Sequence, residues 1–245
     1  MCYLQTENCT HCKLETTYFC QMARKKLERF KDNASYPHVL EPKRDDVLKQ
    51  FHLKGKWNEF FKNDNPIVLE LGCGKGEYTV ALAQKYPDKN FIGVDVKGAR
   101  IWYGATEVLE KGMTNAAFLR TQIELIDQLF AENEVSEIWI TFPDPQIKYK
   151  RLKHRMTNPE FLKLYASVLK KDGVVHLKTD SEFLHGYTHG VLQILGHPVH
   201  RAFHDIDLQL YDKTDMLHTV KTYYEGLFRG KGKAITYIKF GVHGQ

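Results

Sequence analysis

From Pro66 onward, short apolar runs alternate with longer amphipathic stretches, the rhythm of repeated strand–helix units. Ile67 to Leu71 is almost wholly apolar and reads as a strand buried on both faces. A glycine-rich turn follows, then a helix running to about Lys85. The same rhythm predicts strands over Asn90 to Asp95, Ala116 to Leu119, Glu137 to Phe142 and Gly173 to Lys178. Helices are predicted over Ile101 to Lys111, Glu124 to Phe130, Asn158 to Leu169 and Phe183 to Leu195. Two further strands, Val199 to His204 and Ala234 to Phe240, have only a loop and a short helix between them. Strands joined by crossover helices lie parallel, whereas the late pair has no such crossover and is expected to be antiparallel. The pattern predicts an α/β fold with a mostly parallel seven-stranded sheet and an antiparallel closing strand.

The chain before Pro66 is different in kind. Residues 1–21 have no clear periodicity, and 22–62 is polar and basic, interrupted by Tyr36-Pro37-His38-Val39-Leu40. A helix is expected from Arg44 to Phe51. This divides the chain into a disordered extension (1–21), a basic segment (22–62) and a main domain (63–245). Cys2, Cys9, Cys12 and Cys20, with His11, raise the question of zinc, but a second well-spaced ligand pair is missing and no metal is expected. No apolar run is long enough to span a bilayer and no signal peptide is evident, so the expected location is the cytoplasm.

Charge sharpens the picture by where it falls. The formal net charge is only +5 over 245 residues. Yet Lys148, Lys150, Arg151, Lys153, His154 and Arg155 lie close together, and Arg24, Lys25, Lys26, Arg29 and Lys31 form a second group. Each is either a solvated face or a surface for a polyanion.

The turn after the first main strand reads Glu70-Leu71-Gly72-Cys73-Gly74-Lys75-Gly76-Glu77 and opens a helix. Gly72, Gly74 and Gly76 let the backbone turn tightly and approach a ligand without a Cβ in the way. Asp95 ends the neighbouring strand, where a carboxylate can accept hydrogen bonds from both hydroxyls of a ribose. A nicotinamide dinucleotide enzyme uses similar parts, but its fingerprint wants a small residue where Glu77 stands, and that acid would repel a pyrophosphate. S-adenosylmethionine has no pyrophosphate and carries a sulfonium and an amino group, so it suits the loop better. Gln122, after the third main strand, is either a contact to the adenine amino group or a polar loop residue.

Ile138 to Thr141 leads into Phe142-Pro143-Asp144-Pro145-Gln146, an acid between two prolines at the carboxyl end of a strand. Ligands of open α/β sheets bind at that end, and the prolines restrict the backbone on either side. Asp144 is therefore a candidate at the reaction centre, with a turn-forming aspartate as the alternative. Asp180, in Leu177-Lys178-Thr179-Asp180, is a second candidate unless it caps the next helix. Thr222-Tyr223-Tyr224-Glu225 combines hydroxyls and a carboxylate suited to a base edge.

These motifs, together with Tyr36-Pro37-His38, Gly93-Val94-Asp95 and Phe118-Leu119-Arg120, occur in an order that resembles the bacterial TrmB type of the tRNA (guanine(46)-N7)-methyltransferase family, over roughly Tyr36 to Phe240. The resemblance implies a Rossmann-like class I fold dependent on S-adenosylmethionine, with tRNA as partner and a monomer or homodimer as the assembly. It implies a donor site lined by Glu70, Gly72, Gly74, Gly76, Asp95 and Gln122, with Asp144 at the reaction centre contacting donor or guanine. Lys148, Asp180, Thr222, Tyr223, Tyr224 and Glu225 would face the substrate. Two departures stand out. Gln146 and Ile147 precede Lys148 where the family usually has Trp and a Lys-rich run, and Gln122 stands where an acid or Asn is frequent.

Overall fold

The computed structural model describes residues 25–243; the expected extension over 1–21, with its four cysteines and the zinc alternative, lies outside the described residues. Helix α1 spans 25–35, followed by β1 (Val39–Leu40), α2 (Arg44–Gln50) and α3 (Trp57–Phe61). The main run is β2 (Ile67–Leu71), α4 (Glu77–Lys85), β3 (Asn90–Asp95), α5 (Gly98–Glu110), β4 (Ala116–Arg120), α6 (Ile126–Leu129) and β5 (Val135–Thr141). It continues through α7 (Pro159–Ala166), β6 (Leu169–Thr179), α8 (Glu182–Leu195) and β7 (Val199–Phe203). The short helices α9 (Ile206–Gln209), α10 (Met216–Thr219) and α11 (Tyr223–Gly230) precede β8 (Thr236–Gly241).

The strands form one eight-stranded sheet in the order β1-β4-β3-β2-β5-β6-β8-β7. All neighbours are parallel except β8, which inserts antiparallel between β6 and β7. The sheet thus has one strand more than the seven predicted. The extra strand is β1, whose two residues pair with Phe118 and Leu119 of β4. A two-residue strand carries too little alternation to register as a period.

Side-chain alternation decides what each face buries. Leu69, Leu71, Ile92, Leu119, Ile138, Ile140 and Leu177 point to one core, shared with Val47, Trp57, Phe130, Leu162 and Leu184. Val68, Phe91, Phe118, Trp139 and Tyr237 point to the other, against α4, α5, α9 and α10. Helices therefore cover both faces, and α2 and α3 of the basic segment belong to the same core as the main sheet.

Successive strands run outward from β2 to β4 in one direction and from β5 to β6 in the other. The reversal lies between β2 and β5, and a crevice opens there at the carboxyl ends of the strands. The loops leaving those two ends are Gly72 to Gly76 and Phe142 to Gln146.

Candidate active site

Gly72, Gly74 and Gly76 all adopt the left-handed backbone, at φ of 74°, 58° and 74°. A side chain there would be strained, and at Gly76 a Cβ would also lie 2.5 Å from the Phe118 ring. The loop is tied to the tip of β3. Gly72 N and Cys73 N donate to the Val94 carbonyl at 2.8 and 3.1 Å, and Gly74 N donates to Asp95 Oδ2 at 2.9 Å. Asp95 Oδ1 accepts from Lys97 N at 2.8 Å. Each carboxylate oxygen retains a lone pair for a further donor, so Asp95 anchors the loop and keeps capacity for a ribose.

Glu70 lies at the root of the glycine loop, bonded to two threonines. It is 4% exposed. Its Oε2 accepts from Thr79 N at 2.8 Å and Thr79 Oγ1 at 2.5 Å, and its Oε1 accepts from Thr141 Oγ1 at 2.7 Å. Burial pushes its pKa up to about 7, against the lowering effect of those hydrogen bonds. Glu70 joins β2, α4 and β5 beneath the crevice, so any donor contact would be shared with two threonines. Glu77, the first residue of α4, accepts from Tyr223 N at 3.0 Å. Cys73 is buried, which pushes its thiol up and leaves it unsuited to nucleophilic work.

Beside the loop, a cavity of about 410 Å³ is lined by Pro42, Arg44, Val96, Arg120, Thr121 and Gln122 among others. Its apolar lining includes Pro42, Leu125 and Val96, of which Val96 is 51% exposed. Sequence reasoning passed over Val96 because one valine after a strand carries no period. The Gln122 side-chain oxygen accepts from the Arg44 guanidinium and keeps a second lone pair, so Gln122 can present an acceptor to the adenine amino group and its NH₂ to a ring nitrogen.

Asp144 is exposed and stands in a doubly bent loop. Phe142 and Gln146, neither of them glycine, both take the left-handed backbone, at φ of 49° and 47°. Such conformations cost on the order of 1–3 kcal/mol each and persist where the surroundings enforce them. Phe142 N donates to the Lys178 carbonyl at 2.8 Å, and its ring packs on Phe228 of α11 at 5.9 Å. At the far end Arg155 donates to the carbonyls of Gln146 and Ile147, both at 3.1 Å, with its guanidinium over Phe183 and Tyr187. Asp144 Oδ1 accepts from Gln146 N at 3.0 Å, closing the turn. The prolines are thus only part of the clamp.

The basic run divides in two. Lys148, Lys150, Arg151 and Lys153 are exposed, along and beside a short 3₁₀ helix (Tyr149–His154), whereas Arg155 is 5% exposed and structural. Asp180 does not cap the next helix; Ser181 does, through Leu184 N at 3.2 Å. Asp180 instead pairs with Lys233 at 2.5 Å. Thr222 caps α11 through Glu225 N at 3.1 Å, and Tyr223 and Tyr224 are exposed. Glu225 is fully buried, its Oε2 2.8 Å from Lys178 Nζ and its Oε1 accepting from Arg229 Nε at 3.0 Å. In this arrangement Glu225 faces the protein interior rather than a substrate, because the buried Lys178 claims it.

Lys178 is the residue sequence reasoning missed. Its ammonium also donates to the carbonyls of Leu217 and Val220 at 2.9 and 3.2 Å, and burial lowers its pKa to about 8. A lysine in the middle of Val174-Val175-His176-Leu177-Lys178-Thr179 was the available signal, since an unpaired charge is not tolerated in a buried strand. Among the described residues no group of three or more His, Cys, Asp or Glu is arranged to hold a metal ion. Nor is any described helix long and apolar enough to cross a membrane.

With this geometry in place, comparison with known proteins is decisive. A family model described as "Putative methyltransferase" matches residues 64–238. A tRNA (guanine-N(7)-)-methyltransferase of Christiangramia forsetii is 60% identical over 222 residues, covering 90% of this chain and 99% of that one. The protein of the same description from Bacteroides fragilis is 54% identical, covering 89% and 86%, and that from Cytophaga hutchinsonii 39%, covering 89% and 98%. The chain belongs to the tRNA (guanine-N(7)-)-methyltransferase family. Among solved structures, the 16S rRNA methyltransferase KamB shares the fold with a TM-score of 0.59 at 12% identity, covering 77% of this chain and 93% of that one.

Proposed function

We propose that the protein transfers a methyl group from S-adenosylmethionine to N7 of guanine 46 in the variable loop of tRNA. The observation that carries this reading is the placement of Asp144. An exposed acid, clamped by strained backbone, stands at the sheet's switch point beside a left-handed glycine loop, with unpaired cations directly after it.

The residues fit the donor. The glycine loop clears space for it, Asp95 has lone pairs for ribose hydroxyls, and Val96 with Gln122 offers an apolar wall and a polar edge for adenine. When bound, the donor supplies an electrophilic methyl on a sulfonium. Guanine N7 has a free lone pair, so no residue has to remove a proton. Holding the guanine in line supplies much of the rate. The base gains positive charge as the methyl arrives, and a fixed carboxylate stabilises that state more than the starting one. Asp144 is better suited than Asp180 for this, because Lys233 already offsets the charge of Asp180. Either acid suits the N1 and N2 donors of guanine.

The test is incubation with unmodified tRNA and labelled donor, followed by mapping of the product. N7-methylguanosine at position 46 is expected; turnover only on a small metabolite, with none on tRNA, would overturn the reading. Asp144→Asn should slow single-turnover methylation by roughly 10²–10³ while sparing donor affinity, whereas Asp95→Ala should weaken donor binding first.

A further inference from the structure

The basic group at the N-terminal end of the described chain has no part in the site so far. Helix α1 docks on α5 through one face. Asn33 Nδ2 donates to the Gly98 carbonyl at 2.8 Å, Trp102 Nε1 donates to Asp32 at 2.8 Å, and Phe30 lies under the Arg120 guanidinium at 4.7 Å. This brings the cations of α1 to the rim of the donor loop. There they alternate with aromatic rings. Arg29 lies 5.1 Å from the Trp102 ring and 4.7 Å from that of Tyr103. Lys75, between Gly74 and Gly76 of the donor loop, lies 5.2 Å from Tyr103 and 4.5 Å from Tyr223. Arg100 lies 5.6 Å from Tyr224 and donates to its hydroxyl.

Two features combine on this surface. Lys25, Lys26, Arg29, Lys75 and Arg100 have no carboxylate within salt-bridge distance among the described residues, so no acid offsets the charge of any of them. The rings between them are open: Tyr103, Tyr223 and Tyr224 are 39%, 54% and 41% exposed. Unpaired cations favour a polyanion, and exposed rings favour planar bases, so a single-stranded nucleic acid meets both demands. A protein partner would more naturally call for acids among the cations, and a small anion would leave the rings without a role.

We propose that the surface made by α1, the first turns of α5 and the start of α11 is a second RNA-contacting surface. On it a nucleotide flanking the target guanine stacks at Tyr103 and Tyr223 while the cations of α1 meet the neighbouring phosphates. This rests on the tRNA reading above. The placement explains why α11 carries both Tyr223 and Phe228: one end belongs to the ladder over the donor loop, the other packs on Phe142 at the root of the Asp144 turn. RNA held there and on the Lys148 to Lys153 run straddles the crevice, which fixes the guanine from both sides.

The experiment uses the full chain and an unmodified tRNA transcript, with tRNA affinity measured over a range of salt and donor affinity measured separately. Lys25→Ala with Lys26→Ala, both exposed and in no ion pair or side-chain hydrogen bond among the described residues, should reduce the slope of log K against log salt by about 0.7–0.9 per phosphate lost. Tyr103→Leu should weaken tRNA binding about tenfold at an unchanged slope, and Tyr103→Phe should restore it. Donor affinity should hold throughout. Lys170→Ala with Lys171→Ala removes the same charge at the start of β6, away from this surface, and should leave the slope alone. If both test variants match the wild type while the wild type methylates tRNA, this surface is not an RNA contact. A slope flattened equally by the Lys170 and Lys171 control also overturns the proposal, since net charge alone would then account for it. Failure of the wild type to bind or methylate tRNA would fall on the functional reading instead.

Discussion

Glu70 shows how one buried side chain couples the architecture to solution conditions. Its carboxyl titrates near 7 in the folded chain because burial disfavours the anion, against an ordinary value of 4.5. Below pH 4.5 the group is protonated in folded and unfolded chains alike, and its contribution to stability is complete. Between there and about 7 the unfolded chain releases the proton while the folded one retains it, so stability falls as pH rises. The loss amounts to on the order of 3 kcal/mol. Glu70→Gln cannot ionise, so its urea midpoint should fall less than the wild type's between pH 5 and pH 8. Parallel midpoints for the two proteins would show that the three threonine hydrogen bonds hold Glu70 as an anion throughout. Other residue roles depend in the same way on neighbours far away in sequence. The place of Asp95, at the tip of β3 beside the glycine loop, was legible from the strand pattern. Glu225 was not, because its partner Lys178 lies 47 positions earlier and no local pattern links them.

At the scale of elements, the central strands were legible because each is buried on both faces and bounded by turn residues. Ile67–Leu71 and Asn90–Asp95 stand where the apolar runs predict them. The predicted helix from Asn158 to Leu169 ends at Ala166, and Leu169 already belongs to β6, since Lys170, Lys171 and Asp172 hide the start of a long strand behind charge. The basic run after Asp144 illustrates a limit of composition. Six basic residues within eight positions look equivalent, yet packing makes Arg155 a clamp and leaves the others to solvent. The exposed members should therefore carry the salt dependence of tRNA binding. Replacing Lys150, Arg151 and Lys153 with Ala should lower the slope of log K against log salt by about 0.7–0.9 for each phosphate contact removed. Calorimetric donor affinity should not change. An unaltered slope would return the run to the status of a solvated face.

At the scale of the whole molecule, the division of the chain at residue 62 follows composition and not packing. The segment 22–62 is basic and polar on average, which is why it reads as an appendage, but four of its apolar residues are buried while Leu27 and Leu48 stay exposed. Val47, Phe51, Trp57 and Phe61 lie in the same cluster as Leu69, Ile92 and Ile138 of the central sheet. Trp57 is fully buried, its ring stacked on Phe130 at 5.2 Å and its Nε1 donating to the Leu129 carbonyl at 3.1 Å. Trp57, Phe60 and Phe61 of α3 stand at i, i+3 and i+4, but five residues make little more than one turn, too short for a period to repeat, so α3 was not recognised beforehand. We propose that 22–62 and 63–245 form one cooperative unit. Trp57→Ala should then cost about 3–5 kcal/mol in global stability, the range for emptying a large aromatic site, and Trp57→Phe should cost clearly less. Chemical denaturation followed both by far-ultraviolet circular dichroism and by donor binding is the measurement. In a single unit the two signals shift together in Trp57→Ala, and a chain beginning at residue 63 fails to give a cooperative transition. If the main-domain signal keeps its midpoint while Trp57→Ala unfolds only a minor part of the helix content, the segment is a separate appendage.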